Sequence, residues 1–280
     1  MSELKRRKLD VNGVRLHYRQ MGEGPAVVLL HGFPQTSYCW RKVMPELARD
    51  FTVIAPDYRG AGHSTRPAGG YDKVTMAADI NGLVRALGFE SATIVGHDMG
   101  LMVAYAYAAT YRDETDKLAV IDALLPGTKV WDEVSINPRL WHLSFHAARD
   151  VGEYLTAGRE RGYISLFFSA HSGDPSVFGE DEIDEYARAF SAPGGMRAAF
   201  EVYRAVPQDA EDNRRLMQRK LTIPVLAIGG ELSASGPVLD KTMREVAENV
   251  TYRVAPGSGH FVPEEAPDFL AETLREFIKS

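Results

Sequence analysis

The chain has 280 residues, a single cysteine and a formal net charge of −6. That length suits one large α/β domain with an inserted subdomain. The mild acidity gives no reason to expect nucleic acid or an anionic membrane as a partner. Cys39 alone excludes an internal disulfide and fits a reducing compartment, so a cytoplasmic location is expected. Lys5-Arg6-Arg7 is not followed by an apolar stretch, so no secretory signal is expected, and no apolar run is long enough to span a bilayer. There is no Cys/His cluster at zinc spacing and no phosphate-binding glycine loop, so neither a metal nor any other cofactor is expected.

Taken in order, Asp10–Tyr18 alternates apolar residues around Asn12-Gly13, which predicts a hairpin. Val27–Leu30 is a continuous apolar run, as for a strand buried on both faces, and ends in His31-Gly32-Phe33-Pro34. A helix is predicted from near Ser37 to Arg49, and a strand at Phe51–Ile54. The loop Asp57-Tyr58-Arg59-Gly60-Ala61-Gly62-His63-Ser64 follows, then a helix over about Met76–Leu87. Ala92–Val95 and Lys117–Ile121 read as strands, with a helix between them. The alternation stops after Pro126-Gly127, and the chain reads as helical to about Arg215. It resumes with strands at Ile223–Ile228 and Val250–Val254, a loop carrying Gly259-His260, and a helix from about Pro267. Strands alternating with helices predict a mostly parallel sheet covered on both faces. The expected division is a core over 1–126 and 216–280, interrupted by a helical cap over 127–215.

Gly96-His97-Asp98-Met99-Gly100 stands between a predicted strand and a predicted helix. Strand, Gly-x-nucleophile-x-Gly, helix is the pattern of a nucleophile elbow, where a sharp turn pushes the middle residue out at the top of the sheet. That residue is usually serine. Here it is Asp98, a carboxylate that is already ionised at neutral pH and suits attack on a strained or activated carbon. Without more context the same residues also fit a glycine-rich turn with an aspartate N-cap.

The His-Gly-Phe-Pro loop, the Asp57–Ser64 loop, the elbow and Gly259-His260, in that order, resemble the α/β-hydrolase fold over nearly the whole chain. Aspartate at the elbow narrows the resemblance to epoxide hydrolases and related dehalogenases. Trp141-His142-Leu143-Ser144-Phe145 and Phe200-Glu201-Val202-Tyr203-Arg204 resemble the Cif-type epoxide hydrolases. The resemblance implies an eight-stranded, mostly parallel sheet with one antiparallel strand near its start, flanked by helices and roofed by the inserted cap. It implies an active site between sheet and cap, a small-molecule epoxide and water as reactants, and no cofactor. A homodimer would be ordinary for the family.

On this reading Asp98 attacks carbon and His260 activates water against the resulting ester. An acid must fix the tautomer of His260. Where relatives often carry aspartate after the strand ending at Ile228, this chain has Gly229-Gly230-Glu231-Leu232-Ser233. Asp122, directly after the strand ending at Ile121, is favoured over Glu231, whose direction the sequence leaves open. Backbone amides of Phe33 and Met99 would form the oxyanion hole. His142 and Tyr203 would donate to the epoxide oxygen as the ring opens. His146 lies one helical turn after His142 and is the rival for its place; His31, His63 and His97 are expected to be structural. A dehalogenase is the nearest alternative. However, Met99 and Met102 occupy positions where fluoroacetate dehalogenases carry arginine, and methionine has no donor for a halide or carboxylate. An inactive hydrolase-fold binding protein is the alternative of another class.

Overall fold

A computed structural model describes residues 3–280. Its strands are β1 Lys5–Val11, β2 Val14–Met21, β3 Ala26–Leu30, β4 Thr52–Pro56, β5 Ala92–His97, β6 Thr115–Ile121, β7 Val225–Gly230 and β8 Val250–Ala255. They form one eight-stranded sheet in the order β1-β2-β4-β3-β5-β6-β7-β8. Strand β2 is antiparallel to both neighbours and the other pairings are parallel. Asn12-Gly13, both at positive φ, closes the β1–β2 hairpin, because a tight right-twisted turn needs that backbone region.

Every residue of β3 and β5 is buried. Val27, Val28, Leu29 and Leu30 are fully enclosed, and each such side chain contributes about 1.5–3 kcal/mol by leaving water. The chain leaves β3 for β4 on one side and returns to β5 on the other. Connections therefore diverge from the carboxyl ends of β3 and β5, which opens a crevice there. Early helices are α1 Met44–Leu47, α2 Lys73–Ala86 and α3 Met99–Thr110. α3 is buried from Met99 to Ala109. It is apolar all round, as a helix enclosed by sheet and neighbouring helices must be.

The helix expected over Ser37–Arg49 is instead a 3₁₀ turn, Ser37–Lys42, followed by the short α1. Pro45 explains the break: it lacks an N–H and its ring crowds the carbonyl one turn back, but it is tolerated in a first turn, where α1 places it.

Between β6 and β7 the chain forms α4 Lys129–Val134, α5 Trp141–Ala147, α6 Val151–Thr156, α7 Glu160–His171, α8 Glu180–Ser191, α9 Gly195–Arg204 and α10 Val206–Leu216. The last helices are α11 Gly236–Val246, α12 Val262–Glu265 and α13 Pro267–Lys279. One buried ion pair ties the inserted helices to the sheet layer. Lys73 Nζ on α2 lies 2.6 Å from Asp209 Oδ2 on α10 and donates to Val202 O on α9 at 2.9 Å. The Lys73 backbone N–H donates to the other oxygen of Asp209 at 2.8 Å. Among the described residues no helix is long and apolar enough to cross a membrane, and no His/Cys/Asp/Glu group is arranged to hold a metal ion.

Candidate active site

Glycine at 96 and 100 is forced by crowding. A Cβ on Gly96 would run into the Gly100 carbonyl, and one on Gly100 into the Leu30 carbonyl of β3. The residue between them, Asp98, has φ 52° and ψ −121°, a strained region for any non-glycine residue. The turn carries its carboxylate into the crevice between β3 and β5. Gly32 lies directly against it, and a Cβ there would overlap the Asp98 side chain.

Asp98 Oδ1 accepts a hydrogen bond of 2.7 Å from the Phe33 N–H. Oδ2 lies 3.5 Å from His260 Nε2. His260 Nδ1 is 2.9 Å from Asp122 Oδ1. Asp122 is fully buried and receives three further donors: Gly230 N–H on Oδ2, and the Ser233 and Ser235 hydroxyls on Oδ1, each at 2.6 Å. Ser233, at the position where an aspartate is common in similar chains, thus donates to Asp122 from beyond the end of the neighbouring strand β7. Glu231 points elsewhere and accepts from the Gly257 N–H at 2.7 Å.

The charges follow from this geometry. Burial works against a charged Asp98, yet His260, then His97 and the Phe33 amide, outweigh it and hold the carboxyl well below the usual range. Burial likewise opposes ionised Asp122, but His260 and the two serine hydroxyls lower its pKa. For His260 burial disfavours the cation, but hydrogen bonds to Asp122 and Asp98 prevail and raise the imidazole to about 10. His97 packs beneath it, with Nε2 2.8 Å from the His260 carbonyl, and burial depresses it to about 4.

The opposite wall of the site comes from the inserted helices α5 and α9. The His142 and Tyr203 rings face each other edge-on with centroids 6.0 Å apart, and Tyr203 also packs against Phe33 at 5.6 Å. Burial, and next the charge of Asp98, keep the Tyr203 hydroxyl protonated far above its ordinary value. Burial pushes His142 down to about 4, so its imidazole is neutral. Its buried Nδ1 has no partner among the described residues. His146 is close too, but its Nε2 is engaged at 2.6 Å with the Tyr163 hydroxyl, and its ring braces Tyr203 at 4.2 Å. Met99 begins α3, so its N–H is one of the unpaired amides of a helix N-terminus.

The α/β-hydrolase fold family matches residues 25–267. The chain belongs to that family. Its relatives include a soluble epoxide hydrolase of Corynebacterium sp. (strain C12), 39% identical over 99% of this chain and 98% of that protein. A fluoroacetate dehalogenase of Burkholderia sp. is 30% identical over 98% of this chain and 93% of its own length. Among solved structures, the epoxide hydrolase CorEH without ligand superposes with a TM-score of 0.94 at 38% identity, covering 99% of each chain.

Two site features of this hydrolase escape sequence reasoning. Glu265 accepts from the N–H groups of Gly259 at 3.0 Å and Phe261 at 2.9 Å, either side of His260. It also accepts from Gly173 at 2.6 Å and Asp174 at 3.2 Å, in the loop after α7. One carboxylate thus fastens the His260 loop to the inserted helices. The second is His171, whose ring stands 6.1 Å from His142 and 6.3 Å from His260 and whose carbonyl accepts the His260 N–H at 2.8 Å. Glu265 lies four residues after Phe261, one beyond the carboxylate position of a capping box, so no local spacing selects it; nothing in the sequence marks His171.

Proposed function

We propose that this hydrolase opens a small uncharged epoxide to a vicinal diol through a covalent ester on Asp98, which His260-activated water hydrolyses. The observation that carries the reading is one unbroken arrangement. Asp98 projects from the elbow with one oxygen on the Phe33 amide and the other facing a histidine tied to buried Asp122.

In the resting site His260 is an imidazolium between two carboxylates. Asp98 attacks an epoxide carbon while Tyr203 and His142 donate to the ring oxygen. Forming the ester removes the Asp98 charge and its attraction for the His260 proton. The proton that His260 then releases is the one the opened alkoxide requires, so this half is proton-neutral. Neutral His260, oriented by Asp122, takes a proton from water as the oxygen attacks the ester carbonyl. Negative charge develops on the oxygen held by Phe33 N–H, with Met99 N–H as the second donor. Collapse expels the diol, which takes the remaining proton, and restores ionised Asp98 and protonated His260. The helices over 127–215 act as the cap that encloses these steps.

An uncharged substrate is favoured because, among the described residues, no charged side chain lines the cleft bounded by Phe33, Tyr58, Met99, Phe190 and Tyr203. A substrate carboxylate would be left unpaired there at high cost. The test is intact-protein mass spectrometry of His260→Ala mixed with a reactive terminal epoxide. An adduct of the epoxide mass on Asp98, absent in Asp98→Asn, is expected. Halide release from haloacids by the parent enzyme, with no diol from any epoxide, would overturn the substrate class. Oxygen-18 water entering the first-turnover diol and not Asp98 would overturn the ester.

A further inference from the structure

The ring of His260 is fixed by Asp122, but its backbone is fixed from elsewhere. Gly259 N–H donates to Glu265 Oε2 at 3.0 Å, His260 N–H to the His171 carbonyl at 2.8 Å, and Phe261 N–H to Glu265 Oε1 at 2.9 Å. Glu265 Oε2 also accepts from Gly173 N–H at 2.6 Å and Asp174 N–H at 3.2 Å. His171 ends α7, and Gly173 and Asp174 lie in the loop after it. Phe261 is the N-cap of the short helix α12, so a purely local capping role would need only the Phe261 contact. The other three N–H groups lie outside α12, one on the His260 loop and two on the loop after α7. The two loops also meet backbone to backbone. A Cβ on Gly259 would run into Gly173 N and the His171 carbonyl, and one on Gly173 would lie 2.7 Å from the Gly257 carbonyl and 2.8 Å from Gly259 N. Glycine at both positions lets the chains approach closely enough for one carboxylate to reach both loops. The groups assigned to ester formation are held differently. Asp98 is set by the elbow and the Phe33 N–H, and Tyr203 stands on α9, whose Val202 carbonyl is held by Lys73.

Building on the epoxide reading above, we propose that Glu265 is a positioning residue for ester hydrolysis. It aims His260 at the attacking water by clasping the His260 loop to the loop after α7. A ring tied to Asp122 at one nitrogen still swings with its backbone, and a misplacement of about 1 Å costs on the order of a hundredfold in rate. Ester formation uses the Asp98 carboxylate rather than an aimed base, and so does not depend on the clasp.

The experiment follows the rise and decay of the Asp98 adduct by rapid-quench mass spectrometry, with a reactive terminal epoxide, in the parent, Glu265→Ala and Gly173→Ala. Glu265→Ala removes the acceptor of four N–H groups. Gly173→Ala keeps that acceptor and forces the loops apart from the α7 side. In both variants adduct decay is expected to slow by about ten- to a hundredfold, while adduct formation stays close to the parent rate, so the adduct accumulates. A general loosening of the site would slow both steps together and would not produce that split. Circular dichroism establishes folding, and Gly173→Ala carries the test if Glu265→Ala does not fold. Decay at the parent rate, or an equal fall in both steps, in the folded variants overturns the role of Glu265 and leaves the epoxide reading intact. Absence of an Asp98 adduct from every epoxide, in these variants and in His260→Ala, overturns both.

Discussion

Replacing Asp122 by asparagine separates the two halves of the proposed reaction, and the result follows from the donors around it. Oδ1 receives His260 Nδ1, Ser233 and Ser235; Oδ2 receives the Gly230 N–H. Asparagine has one accepting oxygen and one donating nitrogen. With nitrogen at the Oδ2 position, two donors would face each other across the Gly230 contact. A backbone amide cannot turn away, and leaving it unsatisfied costs about 1–3 kcal/mol. With nitrogen at the Oδ1 position, one serine hydroxyl can rotate to accept one of its two N–H bonds while the other serine turns to its neighbour 3.2 Å away. His260 Nδ1 must then accept as well, which puts the imidazole proton on Nε2, facing the ester. The second orientation wins, and its tautomer cannot take a proton from water. Ester hydrolysis should therefore fall by about 10³- to 10⁴-fold, the scale seen when a triad acid is replaced by its amide. Ester formation should fall much less. Rapid-quench mass spectrometry of Asp122→Asn should show the Asp98 adduct accumulating over time. Glu231→Gln, altering a side chain that accepts only the Gly257 amide, should hydrolyse the ester within about threefold of the parent. Equal hydrolysis rates in the two variants would refute the assignment of Asp122.

Tyr203→Phe keeps the ring that packs against Phe33 and His146 but removes a donor. Single-turnover adduct formation should slow by about ten- to a thousandfold, and a parent-like rate would remove Tyr203 from the reaction. Gly32→Ala places a methyl where the Asp98 carboxylate lies, so adduct yield should drop by at least about a hundredfold through misplacement of the attacking oxygen; normal alkylation would show that Asp98 does not act from this position. His260 titrates at about 10 in the folded protein and at about 6.5 when unfolded. Its contribution to stability is complete below about pH 6.5 and lost as pH rises toward 10. The unfolding free energy of the parent minus that of His260→Gln should shrink across this window, and a difference that stays flat would contradict the elevated imidazole.

The elbow was legible in the sequence because its constraints are local. Gly96, Asp98 and Gly100 are set by clashes within a few residues and against β3. The sheet was legible because strands buried on both faces leave apolar runs such as Val27–Leu30. The choice between Asp122 and Glu231 could not be closed there, since it depends on where Ser233, Ser235 and Gly230 fall across β6 and β7. His142 and His146 share a helical face in the sequence. A buried Nδ1 lacks a partner among the described residues in both rings, and only the hydroxyl of Tyr163, from another helix, which engages His146 Nε2, tells them apart. The break at Pro45 was available from the sequence, but the apolar pattern around it suggested a continuous helix.

The Lys73–Asp209 pair has a consequence for how the inserted helices find their place. Two opposite charges sealed at 1% exposure add little net stability over an apolar pair of the same size, but separating them leaves an uncompensated buried charge, at about 3–5 kcal/mol. The pair therefore works as a key rather than as glue. Lys73 also holds the Val202 carbonyl, one residue before Tyr203. Seatings of α9 and α10 displaced by a turn would strand both ions, while the native one satisfies them and sets the Tyr203 backbone in the same act. The height of Tyr203 above Asp98 is thus chosen by a discrete electrostatic match one residue away along its helix, and apolar residues around the pocket can be exchanged without letting that height drift.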